Sequence, residues 1–245
     1  MGYTIPRSYI DNFSDGIEAI SSAYKQQLEA ALSGIDVTAP GALQQVGSIL
    51  QMYCKGSTQS AVYLAKKFYM GLRAEMVDDD GFEGVEDTGY SGSRALAAAN
   101  KALGQMHTDN QALVANYLQS YLGTQTKRAS HRTIVANGMR DPRQPRFARI
   151  PQATRSYAAG CPFCQMLASR GFVYCTRGTA SVHVHDDCRC VIVPSWDKSP
   201  MVEGYEPKDY WAGYEKYKAH DYSQPDRSIP HCSLEWQQAN GFIES

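Results

Sequence analysis

Between Pro6 and Gly34 the apolar side chains Ile10, Phe13, Ile17, Ile20, Tyr24, Leu28 and Leu32 recur every three or four residues. That spacing lays them along one stripe of a helix. Pro6 suits a first helical position, and Gly34 suits the left-handed cap beyond the end. The spacing predicts a second helix from Pro40, carrying Leu43, Val46, Ile49, Leu50 and Tyr53 and punctuated by Gly56 and Ser57. A third carries Val62, Leu64, Ala65, Phe68, Tyr69, Leu72 and Met76. Helical stripes resume at Ser93 with Leu96, Leu103, Leu113, Val114, Tyr117, Leu118 and Tyr121, broken near Gly104 and Gly123, and run to about Asn137.

Two stretches interrupt this periodicity. Residues 77–91 hold six carboxylates, three glycines and no base, without EF-hand spacing, and read as a solvated acidic loop. Residues 127–155 hold eight Lys or Arg against one acid, Asp141, an excess of seven. Pro142, Pro145 and Pro151 exclude helix from the second part of that stretch. Arginines on proline-fixed, extended backbone can track phosphates or meet an acidic protein face, so Arg140, Arg143, Arg146 and Arg149 are candidate contacts to nucleic acid or a partner. The alternative is a solvated linker whose arginines pair with the chain's own carboxylates. Short β-type runs occur at 171–174 and 190–194, and β-structure is expected only beyond about residue 150. The residues after 196 read as an extended, aromatic-rich tail with one short helix near 207–218, where Tyr210, Trp211, Tyr214 and Tyr217 keep helical spacing.

The resulting expectation is an α+β chain. A helical domain over 1–137 is followed by a basic, Pro-rich linker over 138–156. A small mixed module over 157–196 and the tail over 197–245 complete it. Composition narrows the function. With 24 basic and 25 acidic residues the net charge is −1, so any nucleic-acid contact must be local. There is no run of about 18 apolar residues to cross a membrane. The opening MGYTIPRSYIDNF lacks the apolar core of a secretory leader, and no internal repeat is present. Seven cysteines, an odd number without a leader, point to a reducing compartment and to metal or reactive chemistry.

The cysteines have a pattern. Cys161-Pro-Phe-Cys164 is followed by His183-Val-His185-Asp-Asp-Cys188-Arg-Cys190. Two ligands separated by two residues reach one point across a tight turn, and Cys161 with Cys164 and His185 with Cys188 both have that spacing. Nitrogen and sulfur donors in fours are the tetrahedral set that zinc prefers. Six candidates exist for four places, so His183 and Cys190 are alternates. A redox Cys-x-x-Cys, a catalytic Cys–His pair and disulfide pairing remain open. Cys54, at a helix end, reads as a small buried apolar residue.

Three strings carry a resemblance: Arg146-Phe-Ala-Arg149-Ile-Pro, Gly160-Cys-Pro-Phe-Cys-Gln-Met-Leu-Ala-Ser-Arg-Gly-Phe-Val-Tyr174, and His185-Asp-Asp-Cys-Arg-Cys-Val-Ile-Val-Pro194. Together they resemble the Mu F-like minor head, or capsid morphogenesis, proteins of tailed bacteriophages, especially the branch found in phages of actinobacteria. That likeness covers residues 130–200. It implies a minor capsid protein at the portal vertex, in the virion or, during assembly, the host cytoplasm. Its expected partners are portal protein, major capsid or scaffold subunits and packaged double-stranded DNA, with no membrane. The family's C-terminal domain has been related to the ADP-ribosyltransferase fold, but the sequence lacks the Arg…Ser-Thr-Ser…Glu-x-Glu set for NAD, and no enzyme activity is expected. The alternative is a cysteine or metal-assisted hydrolase, such as a capsid maturation protease.

Overall fold

The apolar stripes fold as long helices. A computed structural model describes residues 3–105, 111–153, 162–175, 188–212 and 215. A two-residue strand β1 (Thr4–Ile5) leads into α1 (Arg7–Leu32), α2 (Ala42–Met76), α3 (Gly92–Gln105) and α4 (Gln111–Arg140). Strand β2 (Arg146–Ile150), helix α5 (Pro162–Ala168), strands β3 (Val191–Ser195) and β4 (Met201–Val202) and a 3₁₀ turn (Pro207–Tyr210) follow.

Helix α2 is one continuous element where the sequence predicts two. A Cβ on Gly56 would lie 2.8 Å from Tyr24 Cε1 and 2.9 Å from its hydroxyl. The glycine therefore lets α1 and α2 approach closely, and it does not end a helix. The expected break at Gly123 fails for the same reason. That glycine sits inside α4, where a Cβ would meet Lys25 Cε at 2.7 Å and Ser21 Oγ at 3.2 Å.

Two buried clusters divide the bundle along its length. Leu28, Leu32, Val46, Leu50, Ala99, Leu118 and Leu122 fill one end, which α3 closes. At the other end Ile10, Phe13, Phe68, Tyr69, Leu72 and Ile134 share a core with Phe147, Ile150, Cys164, Cys190 and Ile192. Helix α1 is thus antiparallel to α2 and α4. Helix α4 lies between its neighbours and buries side chains all round, including Thr126, Lys127, Ser130, His131, Thr133 and Asn137.

The connection 77–91 returns along the bundle between α2 and α4. It has no regular secondary structure, but it is stitched down and is not simply solvated. Asn137 Nδ2 donates to the Val85 carbonyl at 2.9 Å, and Asn137 Oδ1 accepts the Val85 amide at 2.7 Å. The Asp87 amide donates to Thr133 Oγ1, and Arg132 pairs with the Asp87 carboxylate at 3.0 Å. Asp80 pairs with Arg73 at 2.8 Å and with Arg143 at 3.3 Å.

The segment expected to be a linker contains β2, four of whose five residues are buried. β-Structure therefore begins before residue 150, and β1 adds two residues at the start of the chain. Strand β2 pairs antiparallel with β3, Phe147 opposite Pro194 and Arg149 opposite Ile192. Pro194 has no N–H, and none is missed. Phe147 turns both backbone groups the other way, bonding Tyr174 N–H and C=O at 3.2 and 2.8 Å. Strand β1 pairs parallel with β4. Of the expected tail helix, 207–210 is a 3₁₀ turn and residues 211, 212 and 215 are α-helical, while Tyr214 and Tyr217 lie outside the described residues.

Candidate metal centre

Strand alternation builds the site. Cys188 and Cys190 lead into β3 two residues apart, so their side chains share a face with Ile192, and the β2–β3 register puts Arg149 on that face too. Helix α5 supplies Cys164 from the other side. The Cys164 and Cys190 sulfurs are 2.6 Å apart, Cys188 and Cys190 3.1 Å, and Cys164 and Cys188 3.7 Å. All three are thiols and all are buried, 2–4% exposed. Together they form a group able to hold a metal ion.

The donor set fits a soft, thiophilic cation. Hydrogen bonding with Cys164 favours the Cys190 thiolate. The bond with Cys188, burial and the charge of Cys188 outweigh it and push the Cys190 thiol up to about 12. Three sulfurs this close cannot all ionise unless positive charge joins them, which a bound divalent ion would supply.

Three side chains pin the Cys188-Arg-Cys190 segment. Arg149, 1% exposed, directs Nη2 at Cys190 Sγ (3.4 Å) and Cys188 Sγ (3.9 Å). Burial opposes its charge, but the nearby Cys190, Cys188 and Cys164 sulfurs outweigh that and raise its pKa. His131 of α4 donates from Nε2 to the Cys190 carbonyl at 2.9 Å. Burial, reinforced by Arg149, pulls that imidazole down to about 4, so it is neutral at pH 7 with its lone pair on Nδ1. Arg189 reaches the other way, to Asp15 of α1 at 2.6 Å and to the Ala153 carbonyl at 3.3 Å. A cavity of about 20 Å³ beside the segment, lined by Ser14, Lys127, His131 and Cys190, has room for about one water.

Of the expected ligands, Cys164 and Cys188 are brought together. Cys190, expected as an alternate, joins them. Cys161, His183 and His185 lie outside the described residues. The four arginines divide. Arg140 and Arg146 are exposed, and Arg143 is exposed but paired with Asp80. Arg149 corrects the expectation of an outward-facing group: it is 1% exposed, and the β2–β3 register sets it opposite Ile192, on the face that carries the sulfurs. Sequence reasoning missed Arg149 and His131 as neighbours of the cluster. The readable signal for Arg149 was its place two residues from Phe147 in a strand-length run. His131 gave none, since its role depends on α4 packing against β3. Cys54 is buried as expected, and burial pushes its thiol up to about 12.

A family model described as VG15 protein matches residues 4–217. That span includes both the helical bundle and the cysteine core. No curated protein matches the chain, and no solved structure does.

Proposed function

The chain belongs to the VG15 protein family, a family of viral proteins, and on that footing we propose that it is a minor structural protein of a tailed-phage head, of the Mu F-like kind, knit by zinc. The burial of the cysteine group carries this reading. A catalytic thiol or metal needs an open position for substrate. Here the three cysteines are 2–4% exposed, and the small pocket beside their segment has room for about one water. A closed site suits a metal that stabilises the fold. Cys164, Cys188 and Cys190 supply three ligands, and Cys161, His183 and His185, which lie outside the described residues, are the sequence's candidates for the fourth. No helix among the described residues is long and apolar enough to cross a membrane.

The exposed Arg140 and Arg146 are the groups this reading assigns to portal, capsid, scaffold or DNA contact. The test is localisation. Purified virions should contain the protein in a few copies at the portal vertex by immunogold labelling, and phage lacking it should accumulate defective heads. Normal infectious heads without it, or its absence from virions, would overturn the proposal. The hydrolase alternative is tested by alkylating the metal-loaded protein, where rapid loss of a thiol coupled to peptidase activity would favour an enzyme.

A further inference from the structure

We propose that Arg149 is the positioning residue of the cysteine metal centre, holding the Cys190 and Cys188 sulfurs by N–H···S hydrogen bonds and damping their reactivity. The inference rests on the reading that these cysteines bind metal. Its own ground is geometric. A guanidinium 1% exposed, from a different strand, aims Nη2 at two of the three sulfurs, 3.4 and 3.9 Å away. A protonated thiol is a poor acceptor, whereas a metal-bound thiolate is a charged one, and a bond from a cation to it is of the strong, charge-assisted class. Such a bond withdraws charge from sulfur. It therefore lowers the nucleophilicity that alkylation or oxidation would exploit. It also fixes the direction of the sulfur lone pairs, as outer groups do around other metal sites. The His131 bond to the Cys190 carbonyl holds the same segment from the opposite element, so Arg149 acts on the sulfurs while His131 acts on the backbone.

The test uses the full chain loaded with cobalt(II) as a visible stand-in, comparing wild type with R149K and R149M. In R149M the sulfur-to-cobalt charge-transfer band should move to lower energy. Alkylation of the loaded protein by iodoacetamide should speed roughly tenfold or more, the size of a lost charge-assisted hydrogen bond. R149K, which keeps one charged donor, should fall between. A variant-free arm covers the case that R149M fails to fold. In wild type loaded with a spin-half cadmium isotope, a scalar coupling should pass from an Arg149 Nη–H across the hydrogen bond to the metal. Absence of that coupling overturns the proposal, as does a folded R149M with unchanged band and alkylation rate. If wild type binds neither cobalt nor cadmium, the metal reading fails and this inference falls with it.

Discussion

Asp141 shows how much one residue can organise. It ends the α4 region with its side chain fully enclosed, accepting Arg73 Nε and the Tyr69 hydroxyl at 2.8 Å each, the Arg143 amide at 2.9 Å and Trp196 Nε1 at 3.1 Å. Burial alone would push its carboxyl up, but the bonds from Arg73, the Arg143 amide and Tyr69 prevail and hold it below the ordinary range. A carboxylate whose folded pKa is depressed adds stability that is complete above its unfolded pKa of about 3.9 and is lost as pH falls through the folded value. Stability measured against pH should therefore drop below about pH 4 in wild type, and that limb should be shallower in D141N. At neutral pH the same substitution leaves Arg73 buried without its full counter-charge. It should cost roughly 3–5 kcal/mol in urea unfolding. A loss under about 1 kcal/mol would show that Asp80 alone suffices for Arg73. None of this was readable from residues 138–156, where Asp141 looked like the lone acid in a basic linker. Its partners come from α2, the residue that follows β3 and the turn beyond α4, and only the folded chain assembles them.

At the scale of elements, the stripes of α1 were legible because one face of a bundle helix is buried and the other is wet. Helix α4 was harder, since a central helix is buried all round and its polar residues bond to nearby carbonyls, as Thr126 does to Leu122 and Ser130 to Lys127. Glycine misled the reading most. Gly56 and Gly123 looked like punctuation but mark close helix contacts, and Gly138 receives the Phe147 ring of β2. Alanine is the better helix former by roughly 1 kcal/mol, so at an uncrowded position inside a helix G56A would stabilise. Because the added methyl would overlap Tyr24, G56A should instead destabilise by about 1–3 kcal/mol, and G138A by at least as much, in thermal or urea unfolding. The connection 77–91 makes a separate prediction. Asn137 satisfies both backbone groups of Val85, so N137A should leave them unbonded and cost roughly 2 kcal/mol. Amide exchange should speed at Val85 and its neighbours while α1 stays protected. Uniform exchange loss across the bundle would mean that the loop is no separate unit.

For the whole molecule, the decisive fact is that the cysteine group sits in the bundle's own core. Cys164, Cys188 and Cys190 belong to the same buried cluster as Ile10, Tyr69 and Ile134. The sequence suggested a module joined by a linker, since the ligand spacing in 161–190 is local while the β2–β3 pairing and the bond from His131 to the Cys190 carbonyl are not. A metal in a separate module would stabilise that module alone. A metal here should stabilise the bundle as well, because its ligands are tethered to α4 through His131, to β2 through Arg149 and to α1 through the Arg189–Asp15 pair. Free metal at about a thousandfold over its dissociation constant adds roughly 4 kcal/mol to a folded state that alone binds it. For a chain of this size each kcal/mol moves the melting point by about 2–4 °C. Stripping metal with a chelator under reducing conditions should therefore lower the melting point by roughly 10 °C. The helical circular-dichroism signal, which reports mainly α1–α4, should move together with tryptophan fluorescence in a single transition. If chelation leaves the helical transition in place and opens only the cysteine region to exchange, the centre belongs to a separate unit and the shared core does not transmit its stability.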